Sequence, residues 1–338
     1  MTRLALVTGA TGLVGSHLVE RLARDGWTVR AMVRDPAGAR WLEPLGAAEI
    51  VPGDVLDPAA VRRAAAGATA IFHTAAAISP KAGWEAFRST NIDGTNALID
   101  AARGSGARLL HLSSVAVYGR ARWGTEPTHE DLPLPPLPDH AYYARSKRES
   151  EQMVMDAHAR GEIWAAAVRP NWIYGERDRQ FLPRALKLFA LPVVPLIEGG
   201  HSILSMVHAG NVADAAVRAV CVDAAAGRVY NTTNDFPVSV ADFIRLGAEG
   251  LERRVRTVSV PLWAAEGAMN LVKASVRLAK GKEMSGHASG IVPALSRDNP
   301  FTSDRVRREL GWDPPYRPET AIPAAFRWQR TRRRVRAA

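Results

Sequence analysis

Two hydrophobic rhythms alternate over the first half of the chain. Short apolar runs at Thr2–Thr8, Trp27–Val33, Ala47–Val51, Thr69–Thr74 and Arg108–Leu112 have the length and composition of buried strands. Between them, over Leu13–Arg24, Pro58–Ala66 and Trp84–Arg103, apolar positions return every three or four residues, the spacing of amphipathic helices. A helix at about 139–160 and a strand at about 163–168 extend the series to six or seven sheet strands. Strands that alternate with helices imply βαβ units and a parallel sheet covered on both faces. The predicted fold class is therefore α/β, a Rossmann-type doubly wound parallel sheet.

After Gly175 the rhythm breaks. Arg177–Ile197 reads as an apolar helix that runs into the proline-interrupted sequence LFALPVVPLI, and Asn211–Val222 returns to a helix suited to the sheet layer. Beyond Phe236 the pattern predicts a helix near 239–250, a strand near 255–260 and a long amphipathic helix over Leu262–Ala279. Residues 281–300 are rich in Gly, Ser and Pro and read as a loop or lid. These breaks divide the chain into a sheet domain, 1–175, completed by about 206–235. A smaller, mostly C-terminal α/β substrate-binding part takes 176–205 and 236–326, and 327–338 is a basic tail.

A net charge of +10 invites a polyanion partner, but its distribution argues otherwise. Six of those charges lie in the last twelve residues, Arg327–Ala338, which contain no acid, leaving +4 on the rest. That is a weak field for a nucleic acid. The tail reads as a solvated helix end that frays. The single cysteine, Cys221, excludes an intrachain disulfide and fits a reducing cytoplasm; its apolar neighbours mark it as a small core residue on a helix. The N-terminus does not read as a signal peptide, and no apolar run approaches the ~18 residues of a membrane span. The expected setting is cytoplasmic, with no nucleic acid and no integral membrane contact.

The chemistry begins where the first strand ends. Thr8–Gly15, TGATGLVG, stands between a strand and a helix, the context a dinucleotide site requires. Gly9 permits a tight turn, Gly12 admits a pyrophosphate against the backbone, and Gly15 lets helix and strand approach. With Thr11, Leu13 and Val14 they present free N–H groups and the positive end of a helix dipole to phosphate. Arg34, directly after the second strand, suits the 2′-phosphate of NADP(H), so NADP(H) is favoured over NAD(H). Asp35, one residue later, is placed either to take a ribose hydroxyl or to cap the next helix. Asp54 and Val55, after the third strand, either flank adenine or form an ordinary turn.

A second constellation lies at Tyr143 and Lys147, one helical turn apart on one face. A phenol near pKa 10 is a poor acid–base at neutral pH, and an adjacent ammonium is expected to lower it. Lys147 is also placed to reach the nicotinamide ribose. Ser114 follows the fifth strand, at the sheet's carboxyl edge where α/β sheets bind ligands. It is suited to hold a substrate oxygen while Tyr143 exchanges the proton. His73, His111 and His208 lie on apolar segments without metal-ligand spacing, so no metal is predicted.

Taken together these residues resemble the extended short-chain dehydrogenases/reductases, the NAD(P)-dependent epimerase/dehydratase family. TGATGLVG matches the family's TGxxGxxG, and Ser114, Tyr143 and Lys147 match its catalytic triad. His73-Thr74-Ala75-Ala76 matches the HxAA stretch beside the cofactor, and Asn91 the N-x-x-GT helix. Arg169-Pro170 through Tyr174-Gly175 matches RPxxxYG, where the resemblance places Pro170 and Ile173 against the nicotinamide. Phe301–Trp312, with its ELGW, matches the C-terminal segment. A dimer through helices such as 84–103 and 139–160 is implied by resemblance alone.

Nucleotide-sugar members carry an arginine four residues before the histidine corresponding to His208; here that position is Leu204, which cannot pair with a diphosphate. The segment looks closer to the 3β-hydroxysteroid dehydrogenase and dihydroflavonol reductase-like branches. Trp172, Phe181, Leu182 and Trp263, with Ser114 and Tyr143, are the expected substrate-pocket residues. The expected function is an NAD(P)H-dependent oxidoreductase that interconverts a ketone and a secondary alcohol on a mostly apolar small molecule. The competing readings are an NDP-sugar epimerase or dehydratase and a non-catalytic NADP-binding regulator.

Overall fold

The structure is a computed structural model and describes residues 3–79, 81–119, 127–233, 236–280 and 291–337. β1 (Leu4–Thr8) passes through the glycine turn into α1 (Leu13–Arg24), followed by β2 (Thr28–Val33), β3 (Ala47–Pro52), α2 (Pro58–Ala65) and β4 (Ala70–His73). A helical run comes next, α3 (Trp84–Phe87) and α4 (Gly94–Ser105) joined by a π-helical turn over Arg88–Asp93, then β5 (Arg108–Leu112), α5 (Tyr142–Ala159) and β6 (Ala165–Pro170). Past β7 (Trp172–Tyr174) come α6 (Phe181–Ala185), β8 (Val194–Ile197), β9 (Met206–His208), α7 (Ala209–Cys221) and β10 (Val229–Thr232). The rest comprises α8 (Val240–Gly250), β11 (Thr257–Val260), α9 (Leu262–Lys280), α10 (Ile291–Ser296), α11 (Asp304–Leu310) and α12 (Pro318–Ala337).

Seven strands form one sheet in the order β10-β6-β5-β4-β1-β2-β3, every pair parallel. The α/β, doubly wound reading is the architecture observed. Strand order reverses between β1 and β4, so their carboxyl ends open a crevice where neighbouring connections leave in opposite directions. One face is packed by α1, with Leu18 and Leu22 buried against β1 and β2, and by α7, with Val212 and Val217 buried over β5 and β6; the other by α2, α4 and α5. Each fully buried leucine contributes about 2 kcal/mol. A third core, around Tyr174, Leu182, Phe189, Phe243 and Phe326, sits outside the sheet and joins α6, α8 and α12.

The departures from the sequence reading have physical causes. The helix expected over 177–197 is only the five residues of α6, because Pro192 and Pro195 lack the N–H a helix needs and the chain becomes β8, paired with β11. Asp178 starts α6, its carboxylate accepting from the N–H groups of Gln180, Phe181 and Leu182. Cys221, expected in the core, is exposed: it is the last residue of α7, and Val217 and Val220 take the inward positions. Of the loop expected at 281–300, residues 281–290 lie outside the described residues, and Ile291–Ser296 is helical. The tail is not wholly solvated. It continues α12, where buried Gln329 donates to the Asp178 carbonyl and Arg330 to Glu252 at 2.6 Å.

Among the described residues no helix is long and apolar enough to cross a membrane.

Candidate active site

The crevice is built first from the glycine turn. Gly9 has φ +68°, a left-handed conformation, and a Cβ there would stand 2.6 Å from the Ala75 nitrogen. A Cβ on Gly15 would stand 2.2 Å from the Gly9 carbonyl oxygen, which is the close helix–strand approach the motif predicts. Gly12 caps α1, with no side chain accepting from its first N–H groups and no acid in its first turn. Those open donors and the helix dipole fit a pyrophosphate.

Arg34 is exposed at the end of β2 and makes no ion pair among the described residues. Asp35 does not compete for the same ligand, because its carboxylate accepts from the Gly38 N–H at 3.1 Å and caps the following 3-10 helix. Asp54 accepts from Leu56 N–H at 3.0 Å, the turn geometry that was the alternative to adenine contact. Val55 packs on Gly94 at the head of α4.

The loop after β4 lies against the glycine turn. Thr74 donates to the Thr8 carbonyl at 2.7 Å. His73 bridges Thr8 through Nδ1 at 2.9 Å and Thr95 through Nε2 at 3.1 Å. The Thr95 hydroxyl is itself donated to the Asn91 carbonyl at 2.6 Å, so His73 Nε2 carries the proton. Buried Asn91, in the π-helical turn, ties this loop to α5: it accepts from Ala77 N–H at 2.7 Å and donates to Ser146 Oγ at 2.9 Å. Ser146 donates in turn to the Tyr143 carbonyl at 2.9 Å. The turn of α5 carrying Tyr143 and Lys147 is thus held by hydrogen bonds to the cofactor-side loop.

Ser114 accepts from Ala116 N–H at 3.2 Å, and its hydroxyl pulls the Tyr143 phenol downward. Lys147 is 3% exposed and makes no side-chain hydrogen bond or ion pair among the described residues. An ammonium held this deep in the crevice suits an anionic or hydroxyl-rich ligand. Burial lowers Lys147 to about 8, against the opposing pull of Glu151. Burial lowers His73 to about 3 and His111 well below its usual value, so both imidazoles are neutral beside it. The expected lowering of Tyr143 is not found. Burial dominates and raises the phenol, and only the Ser114 hydroxyl opposes it.

Pro170 is buried at the end of β6, and Ile173 is half-buried in β7, paired with β9. Of the expected pocket residues, Trp172 is 37% exposed and its ring stands 5.8 Å from Phe181. Two others are elsewhere. Leu182 is fully buried in the third core, and Trp263 is 76% exposed on α9, so neither serves as a pocket wall in this arrangement. Sequence reading missed Phe87, whose ring stands 6.2 Å from Tyr143, and Trp84, 6.1 Å from Tyr142. It also missed Glu151 and Arg169, a buried pair whose signal was available: Glu151 lies one helical turn beyond Lys147.

The model of the NAD dependent epimerase/dehydratase family matches residues 5–232. A ketoreductase of Stigmatella aurantiaca, named for 4-hydroxy-2-methyl-3-oxo-4-farnesyl-3,4-dihydroquinoline-1-oxide, is 30% identical over 309 residues, which cover 90% of each chain. The 3beta-hydroxysteroid-dehydrogenase/decarboxylase isoform 1 of Arabidopsis thaliana is 28% identical, covering 92% of this chain and 76% of its own. Among solved structures, a UDP-glucose 4-epimerase superposes with a TM-score of 0.74 at 18% identity, covering 98% of each chain.

Proposed function

The chain belongs to the NAD dependent epimerase/dehydratase family, and from that premise we propose that it is an NADP(H)-dependent reductase that interconverts a ketone and a secondary alcohol on a mostly apolar small molecule. One observation carries the reaction type: a phenol, Tyr143, within the influence of the Ser114 hydroxyl and one helical turn before a buried lysine, Lys147. When bound, the nicotinamide supplies or accepts the hydride. Ser114 holds the substrate oxygen by donating its hydroxyl proton. Tyr143 delivers the proton to that oxygen in reduction and removes it in oxidation. Lys147 binds the ribose hydroxyls of the cofactor and so fixes the nicotinamide beside Tyr143.

Two features support an apolar substrate. Leu204, where nucleotide-sugar enzymes place a diphosphate-binding arginine, is 3% exposed in the third core, so this position offers no cation. The Stigmatella ketoreductase is named for a farnesyl-bearing dihydroquinoline. Retention of both Tyr143 and Lys147 argues against a non-catalytic regulator. The test is a panel of long-chain and polycyclic ketones, each incubated with NADPH and with NADH and followed by nicotinamide absorbance. UDP-glucose plus the oxidised cofactor is the comparator, followed by chromatography of the sugar nucleotide because epimerisation leaves no net change in the nicotinamide. Turnover of UDP-glucose alone would replace this reading with the epimerase one.

Two results are expected at the site. Arg34→Ala should weaken NADPH binding roughly tenfold to hundredfold, the value of a charge-assisted hydrogen bond, and leave NADH binding unchanged. Equal losses for both cofactors in a fluorescence titration would remove Arg34 from 2′-phosphate recognition. Because Lys147 loses its proton near pH 8, kcat/KM should fall as pH rises through that value. A profile flat to pH 10 would contradict the role given to the ammonium.

A further inference from the structure

Lys147 is enclosed by three elements. His73 on β4 and His111 on β5 face it, and both are neutral. On its own helix stand Tyr143, one turn before, and Glu151, one turn after. Glu151, among the described residues, is the anion whose field reaches the ammonium. Its carboxylate is 6% exposed and bound on both oxygens by Arg169 of β6, at 2.5 and 2.8 Å. Arg169 also donates to the Tyr118 hydroxyl at 2.7 Å, and Tyr118 donates to Asn231 Oδ1 at 2.9 Å. Tyr118 ends the short 3-10 helix that Ser114 caps. The pair therefore stands between both arms of the site: its carboxylate lies one helical turn from Lys147 on α5, and its guanidinium holds the Ser114 segment through Tyr118.

We propose that Glu151 and Arg169 are positioning residues of this site, Glu151 set one helical turn from Lys147 to act on it and Arg169 fixing Glu151 in that place. The inference rests on the oxidoreductase reading for its purpose, though not for its measurement. A buried ion pair is weak evidence of stability, because desolvation of its two ions offsets much of their attraction. Here the pair has a third group to serve. Lys147 sits between a desolvation penalty that expels its proton and one carboxylate that retains it.

The test is the titration of Lys147 in the cofactor-free protein, followed by NMR with lysine labelled at Cε. The chain has only six lysines, and Lys147→Met identifies the signal. Glu151→Gln removes the anion and leaves the Arg169 cation uncompensated, so Lys147 should titrate at least one unit lower, about a tenfold smaller charged fraction above the new midpoint. Glu151→Gln/Arg169→Met removes both charges. It should return part of that shift but not all, because Glu151 acts on Lys147 directly and Arg169 stands behind it. The double variant is also the one that leaves no buried ion unpaired, so it serves as the reference if the single variant does not fold. NADPH affinity should follow the same order, with its alkaline loss moved to lower pH in Glu151→Gln. A purely structural pair would lower the melting temperature and leave the Lys147 midpoint unchanged in both variants, and that result would overturn the proposal. Failure of the ketone panel would not touch it, since the titration needs neither cofactor nor substrate.

Discussion

Replacing Tyr143 with phenylalanine is expected to reduce turnover about 10³- to 10⁴-fold, the upper range for loss of a positioned general acid. The substitution removes one oxygen and little else. Tyr143 is held in α5 through its backbone carbonyl, which accepts from Ser146, and its ring lies against Phe87; neither contact needs the hydroxyl. Lys147 and the glycine turn keep their geometry, so cofactor affinity should be unchanged. Steady-state kinetics with any ketone from the panel, alongside a cofactor fluorescence titration, separates the two quantities. Retained turnover would show that the proton comes from elsewhere, with Tyr142 the nearest phenol in sequence. Because burial raises the Tyr143 phenol, it stays protonated through neutral pH, and the alkaline limit should be set by Lys147.

Gly15→Ala should be the most damaging small substitution in the glycine turn. The added methyl would lie 2.2 Å from the Gly9 carbonyl oxygen and 2.9 Å from the Ala10 Cα. Both are backbone atoms, and no side-chain rotation relieves the overlap, so α1 must move away from β1. Overpacking of this kind costs about 3 kcal/mol and displaces the N–H groups meant for the pyrophosphate. Chemical denaturation should give that loss, and cofactor titration should show binding weakened in step. Gly104→Ala is the control. It lies in α4 with open space where its Cβ would stand, and is expected to stabilise by up to about 1 kcal/mol. A Gly15→Ala protein that melts and binds as the parent does would mean that the turn is not held against the helix.

Six of the sheet's seven strands were legible in the sequence as short apolar runs; β10, Val229–Thr232, was not, because its four residues carry two polar side chains and lack that composition. β1 and the turn to α1 emerged as read. What periodicity misjudged was context. The run from Phe181 to Ile197 is mostly apolar, and the prolines at 192 and 195 distinguish a short helix and a strand from one long helix. Leu182 and Trp263 are both large and apolar, yet one faces a core and the other solvent, a difference set by packing partners far away in sequence. The chemistry of Tyr143 and Lys147 was visible as a spacing, but the sign of the phenol's shift was not. It depends on how much water is excluded, which is a property of the folded site. Glu151 was hidden for the same reason: a glutamate on a helix reads as solvated until Arg169, eighteen residues later, is brought beneath it.

The position of Cys221 offers an experimental handle. Arg3 before β1 and Arg108 at the start of β5 both act on its thiol, so it lies by the amino-terminal edge of the sheet, opposite the carboxyl edge that carries the proposed chemistry. As the chain's sole thiol it can take one fluorophore without a mixture of labelled species. Partial burial raises the thiol, so coupling should be slow at neutral pH and faster in mild alkali. A dye there would sit a strand's length from the catalytic groups, roughly 17 Å for five residues, within energy-transfer range of a bound reduced nicotinamide. Ligand occupancy thereby becomes an optical signal that requires no substitution in the protein.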